Sequence, residues 1–246
     1  MLPMSCPPVS RTRNTRSSVG GRLIAADGQE LVFRGCSLEA DAKAGLARVT
    51  LRQTFRNDAD VPLQVTYQLP LPADAAVGGY VFEIDGTRIV GEIDKREAAR
   101  QRFEDAILEG RSAALLDQER SSVFTQQVGN IPPHAEVVCE IVLDQRLRWL
   151  EDGQWEWRFP TVIAPRYLGE PGRVQDAARV TVDVSESDLA TRATLRFRVR
   201  DASLGSGPTS PTHSIAMRAA DEGTEVGFGA EDGARLDRDI AIRWPA

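Results

Sequence analysis

From Leu23 onward, apolar and polar residues alternate with a period of two in short runs, and three of the junctions between runs carry the dipeptide Asp-Gly. That combination confines the chain to antiparallel β structure. A period of two sends successive side chains to opposite faces of a strand, and Asp-Gly supplies the positive φ angles that a type I′ hairpin turn demands. Residues 22–33 (RLIAADGQELVF), 81–90 (VFEIDGTRIV) and 146–159 (RLRWLEDGQWEWRF) are therefore predicted as hairpins about Asp27-Gly28, Asp85-Gly86 and Asp152-Gly153. Val49, Leu51 and Phe55 alternate with Arg48, Thr50, Arg52 and Thr54, a strand with one dry and one wet face. Val137, Cys139, Ile141 and Leu143 alternate likewise, which directs Cys139 into the core as a small hydrophobe.

One segment breaks the pattern. Residues 94–110 (DKREAARQRFEDAILEG) place Asp94 as an N-cap with Glu97 three positions on, and Gly110 as a C-terminal stop. Ala99, Phe103, Ala106 and Ile107 form one narrow apolar stripe on a highly charged helix, with Phe103 as its only large ring. Such a helix covers a sheet and does not centre a core. Further on, residues 168–172 (LGEPG) and 201–213 read as loops, and strands resume at 180–184, 195–199, 215–217, 226–228 and 240–244. A boundary is expected near 169–173, dividing a unit over residues 23–172 from a smaller C-terminal β unit over 173–246. The first 22 residues hold Arg11, Arg13, Arg16 and Arg22 without an acid and lack the apolar stretch of a secretory signal, so they are expected to be a disordered basic tail.

Composition then removes whole classes of function. A formal charge of −6 and a sequence pI near 5.1 argue against a nucleic-acid partner. No stretch approaches the roughly 20 apolar residues of a transmembrane helix. Cys6, Cys36 and Cys139 lie far apart and odd in number, which suits a reducing, cytoplasmic setting over a disulfide framework or a zinc knuckle. With His134 and His213 the only histidines, a multi-histidine metal site cannot be assembled. No metal or cofactor is expected.

The run VTLRQTFRNDADVPLQVTYQLPLP at 49–72, GEIDKREAARQRFEDAILEGRSAALLDQE at 91–119, VFTQQVGNIPP at 123–133 and FPTVIAPRY at 159–167, in that order, resemble the VIT domain. This domain is shared by vault poly-ADP-ribose polymerase, inter-α-trypsin inhibitor heavy chains and many bacterial proteins. The likeness covers about residues 38–168. Residues 210–246 also resemble the segment that leads, in such proteins, into a von Willebrand factor A domain. The resemblance implies a β-sandwich with an interaction or scaffolding role, acting with an A domain in cis or in trans. Leu143-Asp144 departs from it, standing where the family often carries an aromatic residue. Pro70 and Pro72 in LPLP remove ladder donors and mark an edge strand or the exit of a strand, and Asn130 before Ile131-Pro132-Pro133 reads as part of a tight turn.

Few constellations point to chemistry. Asp183-Val-Ser-Glu-Ser187 imitates the metal-binding start of an A domain, but the residues after it show β alternation where a doubly wound sheet needs strand and helix in turn, so a turn is expected. His134 and Cys139 are an odd number of positions apart and would face opposite sides of a strand, which leaves His134 as an exposed loop residue. Arg196, Arg198 and Arg200 alternate with Leu195, Phe197 and Val199 and form a stripe that an acidic glycan could use. Trp155, Trp157 and Phe159 share one side of a hairpin, with Trp155 nearest the turn and a candidate contact. If an A domain normally covers the last strand, exposed apolar surface should lie near Ile240, Ile242 and Trp244. The expectation is an all-β antiparallel sandwich with one covering helix, and a non-catalytic interaction module. A carbohydrate-binding module is the alternative reading and a hydrolase the third.

Overall fold

The computed structural model describes residues 21–90, 96–110, 113–120, 123–161, 192–201, 207–231, 233–235 and 238–245. The chain divides into two compact units. One, Met1–Ser17 with Ala164–Asp188, lies outside the described residues; the other, Ser18–Ile163 with Leu189–Ala246, contains everything below. The Asp183–Ser187 motif and the 180–184 strand fall outside the described residues too.

In chain order the elements are β1 (Arg22–Ala25), β2 (Val32–Lys43), β3 (Leu46–Arg56), β4 (Leu63–Pro70), β5 (Ala75–Ile84) and β6 (Thr87–Val90), then α1 (Arg96–Leu108). They continue with β7 (Ala113–Arg120), β8 (Val123–Ile131), β9 (Glu136–Arg146), β10 (Arg148–Trp149), β11 (Gln154–Phe159), β12 (Ala193–Val199), β13 (Ile215–Ala219), β14 (Thr224–Phe228) and β15 (Ile240–Pro245). The strands form an eight-stranded sheet in the order β13-β14-β12-β2-β3-β9-β5-β6, a four-stranded sheet β1-β4-β8-β7 and a three-stranded sheet β10-β11-β15. All pairings are antiparallel except that of β2 with β12. The expected all-β sandwich with one helix is the observed fold. No helix among the described residues is long and apolar enough to cross a membrane.

Both smaller sheets cover the same face of the large one. Cys36, Leu38, Ala40 and Ala42 of β2 are buried, and register sets Leu38 beside Leu195 and Ala40 beside Phe197, so the dry rows of β2 and β12 are continuous. Over one half of that face Phe55 meets Tyr67 edge-on at 6.1 Å, and Tyr67 meets Phe82 at 6.2 Å, tying β4 to β3 and β5. Over the other half Trp157 lies 4.7 Å from Phe197, and Phe197 5.5 Å from Trp244, tying β11 and β15 to β12. The opposite face is wet and charged. There Arg48 pairs with Asp144 at 3.4 Å, and Arg52 with Glu140 at 3.3 Å and Glu83 at 3.5 Å. The alternation read in β3 and β9 is thus the division between core and solvent, and Cys139 is fully buried.

Several expectations need correction. The strands after residue 173 do not stand apart: β12 and β14 extend the large sheet, and β15 pairs along all six residues of β11. Local alternation shows that a run is a strand without showing which sheet receives it. The chain turns at Asp27-Gly28, but only Gly28 takes positive φ (87°), so the turn is not the expected type I′ pair; a single bridge joins Ile24 to Glu30, and β1 then joins β4 while β2 joins β3 and β12. Asp85-Gly86 forms the expected two-residue hairpin, with Ile84 opposite Thr87 and φ of 46° and 79°. A second such turn, Ala44-Gly45 between β2 and β3, went unread because alanine is a poor left-handed residue. β4, which ends at Pro70, is central in its sheet. Asn130 lies within β8 and not in the turn that follows it. It has φ 56°, and its Nδ2 donates to the Ile107 carbonyl at 3.3 Å, capping the end of α1.

α1 lies over Gly129 of β8, where a Cβ would collide with Ile107 Cδ1. Phe103 and Ala106 are each 7% exposed, and the helix stops at Gly110, whose N–H reaches the Ile107 carbonyl at 3.0 Å with φ 74°. Phe103 is therefore the expected anchor. Phe103→Ala should cost about 3 kcal/mol in urea unfolding, whereas Leu108→Ala, at a position 86% exposed, should change stability by no more than about 0.5 kcal/mol.

Candidate interaction surface

Among the described residues, the Asp152-Gly153 hairpin carries the most exposed aromatic side chain, Trp149. Leu150 N–H bonds to the Gln154 carbonyl at 2.9 Å and Gly153 N–H to the Leu150 carbonyl at 3.1 Å, with Gly153 at φ 78°. This closure sets Trp149 directly opposite Trp155, where the rings meet edge-on at 4.7 Å and 70°. Trp149 is 51% exposed, while Trp155 is partly buried against the core. The tip of the β2–β3 hairpin comes to the same end. A Cβ at Gly45 would stand 3.1 Å from the Trp155 ring, so glycine is needed there both for φ 82° and for the approach. The next residue, Leu46, is 59% exposed.

Ile240, Ile242 and Trp244 are not exposed: all three are fully buried. They do share one side of β15, but register places them beside Phe159, Trp157 and Trp155, and that side faces Phe197 of the large sheet. The covering surface expected from a partner comes from the chain itself. Trp244 Nε1 donates to Asp201 Oδ2 at 3.2 Å, and Asp201 Oδ1 accepts the Ala44 N–H at 2.8 Å. One carboxylate thus fastens the last strand to the hairpin tip that supports Trp155.

Arg196, Arg198 and Arg200 do share the wet face of β12, but as members of ion pairs. Glu225 of β14 receives Arg196 Nε at 3.1 Å, Arg218 Nε at 2.8 Å and Arg198 Nη2 at 3.8 Å. Arg200 grips Asp41 with two bonds of 2.6 Å and also reaches Glu222. The stripe carries acids in its midst, which reduces its pull on an anionic glycan. Glu156, whose side chain is 2% exposed, is held by Arg243 Nε at 2.7 Å and Arg158 Nε at 3.3 Å. Burial by itself would raise its carboxyl; the hydrogen bonds and charges of the two guanidinium groups outweigh this and hold it below the usual range.

Among the described residues, neither cysteine is activated. Burial pushes the Cys36 thiol up to about 12 and the Cys139 thiol well above its ordinary value, the opposite of a nucleophile. His134 sits in a surface turn at φ 60° with Nε2 3.1 Å from Asp60. Sequence reasoning missed Trp149, Leu46 and Asp201. A two-residue type I′ turn at Asp152-Gly153 would have set Trp149 opposite Glu156; only Gly153 takes positive φ, and the longer turn shifts the register so that Trp149 faces Trp155. Asp201 had no local signal, since its partners lie far away in the chain.

Residues 33–143 match the sequence profile of the vault protein inter-alpha-trypsin (VIT) domain, and this part of the chain belongs to that family. The chain is 32% identical over 180 residues to mouse protein mono-ADP-ribosyltransferase PARP4, covering 72% of this chain and 9% of that protein. It is 29% identical over 147 residues to human von Willebrand factor A domain-containing protein 5A, covering 59% of this chain and 19% of that one. The chain thus spans less than a fifth of either relative. Among solved structures, a Legionella pneumophila protein described as a candidate nutrient-binding protein shares the fold, with TM-score 0.52 and 9% identity over 93% of this chain and 72% of that one.

Glu156 gives the surface a pH dependence. Its folded-state carboxyl titrates below the ordinary value of 4.5, so its contribution is complete above that value and is lost as pH falls through the depressed one. The melting temperature should drop as pH falls below about 4.5, and Glu156→Gln should flatten the part of that slope due to this site.

Proposed function

We propose that the chain supplies a non-catalytic protein-interaction module of VIT type that works against a von Willebrand factor A domain, in the same polypeptide or in a separate one. The observation that carries this reading is the match itself. The VIT-like stretch of this chain aligns with proteins whose names record an A domain, including human von Willebrand factor A domain-containing protein 5A, of which the alignment occupies 19%. In those relatives the stretch and the A domain share one polypeptide. Linked domains face each other at high effective concentration, so the contact between them can be weak.

The burial of the Cys36 and Cys139 thiols supports a binding role over thiol catalysis. A glycan-binding role has less support, because Arg196, Arg198 and Arg200 already contact Glu225, Asp41 and Glu222. Calorimetric titration of this chain with an A domain encoded in the same or the neighbouring reading frame should show saturable binding at about micromolar strength or weaker. Absence of binding at near-millimolar concentrations, with retention on a column of an acidic glycan, would favour the carbohydrate reading instead.

A further inference from the structure

We infer that the A domain docks on the end of the sandwich that carries Trp149, Trp155 and Leu46; this rests on the reading just given and names the surface it would use. Three observations converge there. The first is the strand exit. β15 ends at Pro245, opposite Gln154, with Trp244 opposite Trp155. Any polypeptide continuing past residue 246 therefore leaves the fold within one strand spacing of the tryptophan pair, and a domain tethered by a short linker is held to this end.

The second is the kind of surface. Trp149 is 51% exposed, and Leu46, next to the Gly45 that meets Trp155, is 59% exposed at the start of the wet row of β3, while Val61, Val90, Leu108 and Met217, the other large exposed apolar residues described, are scattered over the β3–β4 connection, β6, α1 and β13. Trp149 does not hang free. Its ring is braced edge-on by Trp155, which in turn lies against Gly45. A tryptophan fixed before binding loses little conformational freedom on docking, and tryptophan is enriched among the residues that carry interface energy. Arg146, Arg148, Glu151 and Asp152 are exposed around it and supply the polar rim that such a centre requires.

The third is how the surface is held. Asp201 joins Trp244 to the Ala44-Gly45 turn, so the exit strand and the hairpin under Trp155 are fixed to each other. Among the described strands β10, which presents Trp149, is the edge of its sheet and only two residues long.

The test titrates an A domain encoded in the same or the neighbouring reading frame into the wild-type chain and into Trp149→Ala, Trp149→Phe, Leu46→Ser, Val90→Ser and Met217→Ser. Urea midpoints establish that each variant folds. Trp149→Ala should weaken binding about tenfold or more, Leu46→Ser several-fold, and Trp149→Phe less than Trp149→Ala. Val90→Ser and Met217→Ser should stay within about twofold. If the wild type binds and the Trp149 and Leu46 variants bind equally well, this surface assignment is overturned while the module reading stands. Loss of binding only in the Val90 or Met217 variant would move the interface elsewhere. If the wild type does not bind at all, both fall. A dimer of the chain alone that dissociates in Trp149→Ala would assign the surface to a second copy and overturn the A-domain assignment.

Discussion

Everything in this fold depends on β2 pairing along both of its edges. On one side it runs antiparallel to β3 from Val32 to Lys43, and on the other it runs parallel to β12 from Cys36 to Ala42. A parallel partner needs a long crossover, and here it comes from the C-terminal part of the chain, so this strand welds the two halves of the sequence into one sheet. Its dry face is mostly small: Cys36, Leu38, Ala40 and Ala42. An alanine beside Phe197 leaves room for the ring to meet Trp157 and Trp244, while Leu51 and Phe55 on the neighbouring strand fill the space beneath the four-stranded sheet. One face can therefore carry two different covers.

Polar groups inside the sandwich fix how those covers sit. Gln53 occupies the dry row of β3, level with Cys36 on β2 and Cys139 on β9, and accepts the Tyr67 hydroxyl from the opposing sheet. A hydrogen bond across a dry interface is costly to leave unmade, so it penalises any slip of one sheet over the other. Asn57, fully buried, donates to the Pro132 carbonyl at 2.8 Å and accepts the Ala59 N–H at 3.0 Å, tying the end of β3 to the turn after β8. Asp201 does the same for the other end of the molecule. These side chains govern relative placement, where the apolar contacts alone would tolerate several arrangements.

The wet face shows why charged stripes in a strand protein are weak evidence of a ligand. Cross-strand register puts Arg48 beside Asp144 and Arg52 beside Glu140, and Glu225 gathers three arginines from β12 and β13. Each stripe looks unbalanced within its own strand and is balanced by the next. The exposed tryptophan differs in kind: Trp155 covers one side of Trp149 and braces it, and half of the side chain still meets water.

Sequence alone determined the local features: the strand pattern of β3 and β9, the Asp85-Gly86 turn, the inward path of Cys139, the charged helix with Phe103 on its buried side, and the VIT likeness. Each rests on interactions between residues close in the chain, through pleat, turn angles or helical spacing. It also showed that Arg196, Arg198 and Arg200 share one strand face, but it expected Ile240, Ile242 and Trp244 to be exposed, and they are buried. What covers those faces was decided only by tertiary structure. Phe197 and Asp201 cover Trp244, Glu225 and Asp41 balance the arginines, and β12 lies beside β2 rather than in a unit of its own. A period of two says which side of a strand is dry, but strand pairing across more than a hundred residues is set by the fit of whole sheets, and no local window contains that fit.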